Sequence, residues 1–496
     1  MGIVDGLVIF AYACLMVGVG VYYSRRNRTA EEFLLGGRRM SPIALGLSLF
    51  ATLVSTLSYL GNPGEMIAHG PMLLTQIAAF PLIYVIVGYG LIPLIMRQPV
   101  TSAYELLESR LGAGIRTAGA AVFLSLRLGW MATILYATSS VIIVPLLGLD
   151  QSWTPWLCLS LGIITAVYSS IGGVKAVVAT DAIQSLTMLA GAAVTLAVIT
   201  IRLGGVEAWW PTAWPSHWQE PAWGFDPDVR ISFGMLILST TLWYVCTNGS
   251  DQMSVQRFLS TRDAPAARKT LLVAQVTDAT VSLLLGMTGI AILGFYRVHP
   301  PDLTAGQSIE SIGDRLFPRF IMTEMPAGLS GLVLAAILSA ALSSLSSGIN
   351  SACAVFEKDF LSRRPGHTSS EAATVVRLRR LTWLVAAVAV ALSMLNLLFV
   401  GNLVERCFKL INLLTAPLFV LFFLAMFVPW ANALGAWFGL AVSTATAVTI
   451  AYSKDLGLPF TVGFVWIIPC SLLAGVSVGA AASWLGRSAT PTRIKT

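Results

Sequence analysis

The chain has 496 residues, 56% of them hydrophobic and only 11% charged, with a formal net charge of +7. Soluble proteins carry about a quarter charged residues, so this chain is too poor in charge to give several soluble domains a polar skin. The mean hydropathy of +0.77 agrees, and the composition excludes a soluble protein in favour of an integral membrane one.

A spanning helix needs about 20 mostly apolar residues. Such runs predict spans near 3–23, 42–68, 72–96, 113–144, 152–170, 177–201 and 231–252. Others are expected near 270–296, 326–356, 382–401, 406–428, 433–452 and 462–485, thirteen altogether. The first run ends Tyr22-Tyr23-Ser24-Arg25-Arg26 with no basic segment before it, which reads as a retained span and not a cleaved leader. Runs 113–144 and 326–356 exceed one bilayer crossing and predict tilt or extension beyond the membrane.

Basic residues cluster after the first span (Arg25, Arg26, Arg28), after the seventh (Arg257, Arg262, Arg268) and after the ninth (Lys358, Arg363, Arg364). By the positive-inside rule these loops are cytoplasmic, which puts the N-terminus outside and the C-terminus inside a cell (inner) membrane. The positive charge is thus read as topology. No basic stripe with interleaved aromatics exists, so the bilayer, and not nucleic acid, is the expected partner. The six cysteines stand singly in apolar stretches, without a CxxC spacing, and read as packing residues. The loop at 202–230 carries Trp209, Trp210, Trp214, Trp218 and Trp223, expected as anchors at headgroup level.

No phosphate loop, HExxH or post-strand GxGxxG is present, and the four histidines fall in loops or at span ends. An ATP-driven pump and a metallohydrolase are therefore not expected. A transporter, a channel, a receptor or an intramembrane enzyme remain.

Two spans contain helix-breaking material at membrane depth. The second carries Ser55-Thr56-Leu57-Ser58 followed by Gly61-Asn62-Pro63-Gly64-Glu65, and the seventh carries Thr247-Asn248-Gly249-Ser250-Asp251. Transporters built from inverted repeats interrupt helices at matching positions in the two halves, and the unwound backbone lines a cavity. An ordinary capped helix end is the alternative for each span taken alone. The ninth span holds Ser339-Ala340-Ala341-Leu342-Ser343-Ser344-Leu345-Ser346-Ser347, in which 340, 343, 344 and 347 share a helical face and 346 flanks it. Hydroxyls on one face suit a hard cation, by extension from calcium and magnesium. The run alone favours a small-residue packing seam instead. Asp181 in the sixth span shifts that balance, because an intramembrane carboxylate needs a partner, and a cation shared with these serines supplies one. Asp278 has no partner on its flanks and reads as a structural or span-end charge, while Arg127 and Lys409 are expected to snorkel.

At these motifs the sequence resembles the sodium/solute symporter family of sodium–glucose, proline, pantothenate, sialic acid, monocarboxylate and iodide transporters. The stretches that carry the likeness are Gly172-Gly173…Thr180-Asp181-Ala182-Ile183-Gln184, Asp251-Gln252…Val255-Gln256-Arg257 and Ser343-Ser344-Leu345-Ser346-Ser347…Asn350-Ser351. The resemblance implies an all-α, leucine-transporter-like fold in a single transporter domain over 1–496. Residues 42–201 would form a first five-helix repeat and 231–428 an inverted second. One extra helix (3–23) would precede them and two (433–485) would follow.

It also implies a secondary active symporter, not an enzyme, that carries a small solute with sodium by alternating access. One sodium site would comprise the carbonyls of Ala51, Val54 and Ala340 with the hydroxyls of Ser343 and Ser344. A second would comprise Asp181, Ser343, Ser346 and Ser347, so two ions per cycle are expected. The likeness of Leu47-Ser48-Leu49-Phe50-Ala51 and Gly172-Gly173-Val174-Lys175 to the monocarboxylate and iodide branch leans the substrate towards a small organic acid. Ser55 and Ser58 would donate to it, and Trp130 and Asn248 would shape the pocket. Trp130 stands where sialic acid carriers have an arginine, and the stretch that matches the sugar carriers' Tyr-Tyr-Trp before the Gln-Arg motif includes Tyr244, Thr247 and Asn248 without that tryptophan. An amino acid, sugar or sialic acid is the alternative substrate. A sodium channel or a membrane sensor is the reading from another class, but no repeated pore motif is present, and about eleven residues past the last span leave no signalling domain. The sequence leaves the oligomeric state open, a monomer included.

Overall fold

The computed structural model describes residues 2–24, 29–97, 100–226, 229–301, 308–363, 370–396, 403–458 and 463–487. Among them every regular element is helical. The chain begins with α1 (Ile3–Ser24), the short α2 (Ala30–Leu35), α3 (Pro42–Leu53) and α4 (Thr56–His69). A stretch over Pro71–Met96 follows, in which a 3-10 segment leads into α5 (Phe80–Val85) and a π segment joins it to α6 (Ile92–Met96). Next come α7 (Glu105–Leu111), α8 (Ala113–Tyr136), which a π segment extends to α9 (Val144–Leu146), and the long α10 (Thr154–Leu203). Then follow α11 (Phe233–Ser250), α12 (Gln252–Leu259), α13 (Ala264–Val298), the short α14 (Gly313–Thr323) and α15 (Leu329–Val355). The chain closes with α16 (Glu371–Leu395), α17 (Leu403–Phe427), α18 (Ala433–Ala451) and α19 (Ile467–Arg487).

Among the described residues nine helices are long and apolar enough to cross a membrane, or ten if α3 and α4 form one bent span. The expected count of thirteen is higher for identifiable reasons. The segments 152–170 and 177–201 are two helical limbs of α10 that meet at a kink where Gly173 takes φ 57° and ψ −160°, and together they count as one long helix. α11 is only 18 residues long and ends in the polar Thr247-Asn248-Gly249-Ser250. In α17 the apolar part is Ile411–Phe427, and the last residues of the expected tenth span, 397–401, lie outside the described residues.

Gly173 is required at its kink. Its φ is one that residues with a Cβ rarely adopt, and a Cβ there would meet the Phe33 carbonyl oxygen of α2 at 2.8 Å. The bend thus lets α2 dock into the elbow of α10.

α15 is the centre of the bundle, and almost every residue from Ser330 to Val355 is buried. It packs against α10, α3, α8 and α16. Lipid tails are as apolar as leucine, so the driving force for this arrangement is close packing, which small side chains permit. The serine run of α15 therefore faces protein and not lipid, and each hydroxyl has to find a partner there. The same principle joins α18 to α19: Gly435 and Gly439 lie against Gly475 and Gly479, and a Cβ on Gly475 would fall 2.6 Å from the Ser443 Cβ.

Candidate functional site

The helix formed by α3 stops at Leu53 because Val54 turns extended (φ −88°, ψ 125°). Ser55, also extended, caps α4, its Oγ accepting from the Ser58 N–H at 3.3 Å. The two helices meet at 68°. The last carbonyls of a helix have no intrahelical donor, and here α15 supplies donors. Ser343 Oγ donates to the Ala51 carbonyl at 2.7 Å and lies 3.3 Å from the Ala340 carbonyl, while Ser344 Oγ lies 3.2 Å from Thr52 O and 3.3 Å from Val54 O. The five oxygens expected around a first ion thus converge on the end of α3. They carry no net charge, and except for half-buried Val54 they come from residues hidden from solvent. Neutral oxygens in a dry setting are what a partly dehydrated monovalent cation takes as ligands.

Asp181 lies one layer away, fully buried in the second limb of α10. Ser347 Oγ donates to it at 3.0 Å and Ser346 Oγ at 3.3 Å. Two further partners are new. Ser48 of α3 donates at 2.6 Å, and the guanidinium of Arg257 approaches Asp181 Oδ2 at 2.9 Å. Ser343, expected beside Asp181, turns its hydroxyl to Ala51 instead.

Arg257, expected as a loop charge marking the cytoplasmic side, lies inside the bundle. It is 3% exposed, on α12, and also donates to Ser48 Oγ at 2.9 Å, Met253 O at 2.6 Å, Thr52 Oγ1 and Ser347 Oγ. The correction has a physical reason: a buried carboxylate is costly without a counter-charge, and a guanidinium satisfies several acceptors at once. The available signal was Gln256-Arg257 following an interrupted span, where a charge belongs to the bundle interior.

Arg127 is a second correction. It does not snorkel; it is buried on α8 and paired with Asp251, the residue that separates α11 from α12. Asp251 Oδ1 also accepts from the Met253 N–H at 2.8 Å and so caps α12. Lys409 lies 5.0 Å from the centre of the Tyr452 ring. Of the loop tryptophans, Trp210, Trp214 and Trp223 are exposed as anchors would be, but Trp209 and Trp218 turn inward. Trp209 Nε1 donates to Thr200 Oγ1 at 3.0 Å and Trp218 Nε1 to the Ile67 carbonyl at 3.3 Å.

The four candidate substrate residues are not gathered in one place. Ser55 and Ser58 sit together at the break with their hydroxyls 3.3 Å apart. Trp130 belongs to an apolar cluster that includes Tyr12, Leu135 and Leu345. Asn248 lines a separate narrow pocket with Phe50, Leu53, Tyr244, Gln275 and Asp278. Asp278 has a partner after all, since the Tyr244 hydroxyl donates to it across from α11.

At the end of the bundle marked by α7, Arg116 Nε donates to Asp359 at 2.6 Å, one terminal nitrogen donates to Glu108 at 2.6 Å and the other to Lys358 O at 2.9 Å. Ser102 Oγ donates to Asp359 at 2.5 Å. The hydrogen bond from Arg116 holds the Glu108 carboxyl below the usual glutamate range.

Comparison with known proteins agrees with this geometry. The family model for the sodium:solute symporter family matches residues 33–443. The sodium/sialic acid symporter SiaT of Proteus mirabilis is 29% identical over 92% of both chains. Sodium-coupled monocarboxylate transporter 1 of Mus musculus is 29% identical over 91% of this chain and 74% of its own. A solved substrate-bound outward-open state of a Na+-coupled sialic acid symporter, reported to reveal a novel Na+ site, superposes with a TM-score of 0.84 at 26% identity over 98% of both chains. The all-helical, leucine-transporter-like architecture with its interrupted helices is that of a membrane-embedded, sodium-coupled transporter and not of an enzyme. The chain belongs to the sodium:solute symporter family.

Proposed function

We propose that the protein imports a small organic acid, monocarboxylate-like, together with two sodium ions by alternating access. The observation that carries the sodium part is the convergence of Ser343 and Ser344 with the carbonyls of Ala51, Val54 and Ala340 at the break after α3. Asp181 with Ser343, Ser346 and Ser347 is the second ion site of this reading, with Ser48 as a further oxygen; Arg257, itself a cation, ligates no ion and shares the Asp181 carboxylate as its counter-charge. Residues 42–201 and 231–428 act as the two moving repeats, and ions at the α3–α15 contact hold them in the substrate-competent state. The N-terminus lies outside and the C-terminus in the cytoplasm. Each net charge that enters contributes about 2.3 kcal/mol per 100 mV; two sodium ions with one carboxylate carry one net charge, which gives roughly fiftyfold accumulation from the potential alone.

The acid preference is supported by the N-terminus of α4, where Ser55 and Ser58 offer hydroxyls and the helix dipole favours an anionic group. Likeness to a sodium-coupled monocarboxylate transporter points the same way. Likeness to SiaT favours sialic acid as a second reading, although Trp130 offers no charge to a carboxylate. Uptake of labelled lactate, pyruvate and sialic acid into proteoliposomes, with and without an inward sodium gradient, tests both. Accumulation that collapses with the gradient supports symport, and uptake indifferent to sodium overturns it.

A further inference from the structure

The two interrupted helices break alike but are held differently. α3 is followed by Val54 at φ −88° and ψ 125°, and α11 by Asp251 at φ −84° and ψ 123°. In each case the N–H of that extended residue donates four residues back, to Phe50 O and to Thr247 O. Inverted repeats place such breaks at matching positions, and these two helices open the proposed repeats 42–201 and 231–428. The helices that serve the breaks match as well. α15, in the third span of the second repeat, brings Ser343 and Ser344 to the end of α3. α8, in the third span of the first repeat, brings Arg127 to the end of α11.

The chemistry at the two ends differs by one charge on each side of the contact. Asp251 stands where the first break has Val54, and Arg127 stands where the first break has neutral hydroxyls. The C-terminal end of a helix is negative and favours a cation. At the first break that cation is the exchangeable sodium of the proposed function, set among uncharged oxygens. At the second it is a guanidinium, buried like its partner and bound covalently to the chain. Charge is what Arg127 contributes there. Arg257 donates to Ser48, Met253, Thr52 and Ser347 besides Asp181. Arg127, among the described residues, pairs with Asp251 and leaves its buried Nε without an acceptor. Groups of the protein also serve the rest of this break: Asp251 Oδ1 accepts from the Met253 N–H at 2.8 Å, and Ser250 O accepts from the Tyr104 hydroxyl at 3.1 Å.

We infer that Arg127 is a tethered cation, the built-in counterpart at the second break of the sodium ion at the first, and a positioning residue for α12. The inference rests on the first ion site of the proposed function. The α11–α12 break then stays set at every sodium concentration, and the α3–α4 break alone answers to the ion. α12 carries Arg257, so a fixed second break also presents the counter-charge of Asp181 in a fixed place.

The test follows the melting temperature of the purified full-length protein against sodium at constant ionic strength, with choline replacing sodium. The slope against the logarithm of sodium concentration reports the ions bound on folding. Arg127→Gln leaves Asp251 and the negative end of α11 without their cation, and sodium is expected to take its place. The slope then rises about 1.5-fold, as two linked ions become three. Arg127→Lys, which keeps a tethered charge, and the double variant Arg127→Gln/Asp251→Asn, which removes both charges, are expected to keep the wild-type slope. A merely structural arginine lowers the melting temperature of Arg127→Gln without changing the slope, and that outcome overturns the inference. A shallower slope overturns it too, and so does a rise that the double variant shares. Arg127→His keeps the test open should Arg127→Gln not fold. The ionisable groups around that position are Asp251, Tyr104 and Arg257. The slope of Arg127→His is expected to steepen as pH rises and the imidazolium loses its proton, while that of the wild type does not; a slope indifferent to pH overturns the inference. A wild type that ignores sodium overturns the proposed ion sites instead, and a slope that appears only in Arg127→Gln then leaves the tethered cation standing.

Discussion

The guanidinium of Arg257 on α12 meets the carboxylate of Asp181 on α10 at 2.9 Å, and Ser48 of α3 touches both groups. Three helices from opposite halves of the sequence are thereby tied through one buried charge pair. Removing one partner of such a pair leaves the other charged and unpaired, at a cost of about 3–5 kcal/mol. Asp181→Ala and Arg257→Ala are each expected to lower the melting temperature markedly, and the double variant by much less than the sum. Additive losses in this cycle would show that the two residues are not coupled. Asp181→Ala is also expected to lower sodium-coupled uptake or its sodium dependence, and unchanged uptake and stoichiometry would remove Asp181 from the ion path.

Ser343 and Ser344 lead to a second expectation. Each supplies one of five neutral oxygens, and a hydrogen-bond-like contact to a charged group is worth about 1.5–3 kcal/mol. Ser343→Ala and Ser344→Ala are expected to raise the sodium concentration for half-maximal uptake about tenfold or more, while Ser362→Ala, exposed beyond the C-terminal end of α15, leaves it unchanged. The measurement is initial uptake rate against sodium at fixed solute.

The Glu108–Arg116 contact predicts a pH response. The folded carboxyl titrates below its unfolded value, so its contribution to stability is present above the unfolded value and is lost as pH falls through the folded one. Melting temperature followed from pH 6 downwards is expected to fall less steeply in Glu108→Gln than in the wild type. Parallel curves would mean that the contact does not contribute to stability.

A fourth expectation concerns the elbow of α10. Gly173→Ala places a Cβ in the left-handed region and 2.8 Å from Phe33 O, so a loss of at least about 1–2 kcal/mol is expected. Thermal denaturation reads it, and Gly114→Ala, where nothing lies within 4 Å of an added Cβ, is the control.

The parts of the molecule legible in the sequence are those whose signal is local. Apolar runs locate the helices, Gly and Ser at positions 54–64 and 247–251 locate the interruptions, and hydroxyl spacing in 339–347 locates the oxygen-rich face. Contacts between distant segments were not legible. Arg257 and Asp181 are 76 residues apart, and Tyr244 and Asp278 are 34 apart, so no window on the chain brings them together. Arg257 reads as a loop charge because it stands near a span end, and Arg127, in mid-span, reads as a snorkelling one, because the partners Asp181 and Asp251 are brought to them only by the fold. The kink at Gly173, which separates the two limbs of α10, is filled by Phe33 of α2, a contact that hydropathy does not record.

The inward turn of Trp218 gives the protein a built-in optical probe. Its indole N–H is bonded to the Ile67 carbonyl near the C-terminal end of α4, and its ring lies against Gly70 just past that end. A tilt of α4 about the Val54–Ser55 hinge changes the polarity around that indole directly. The part of the emission that Trp218→Phe removes from the signal of the 14 tryptophans therefore follows the motion of the broken helix without an added label.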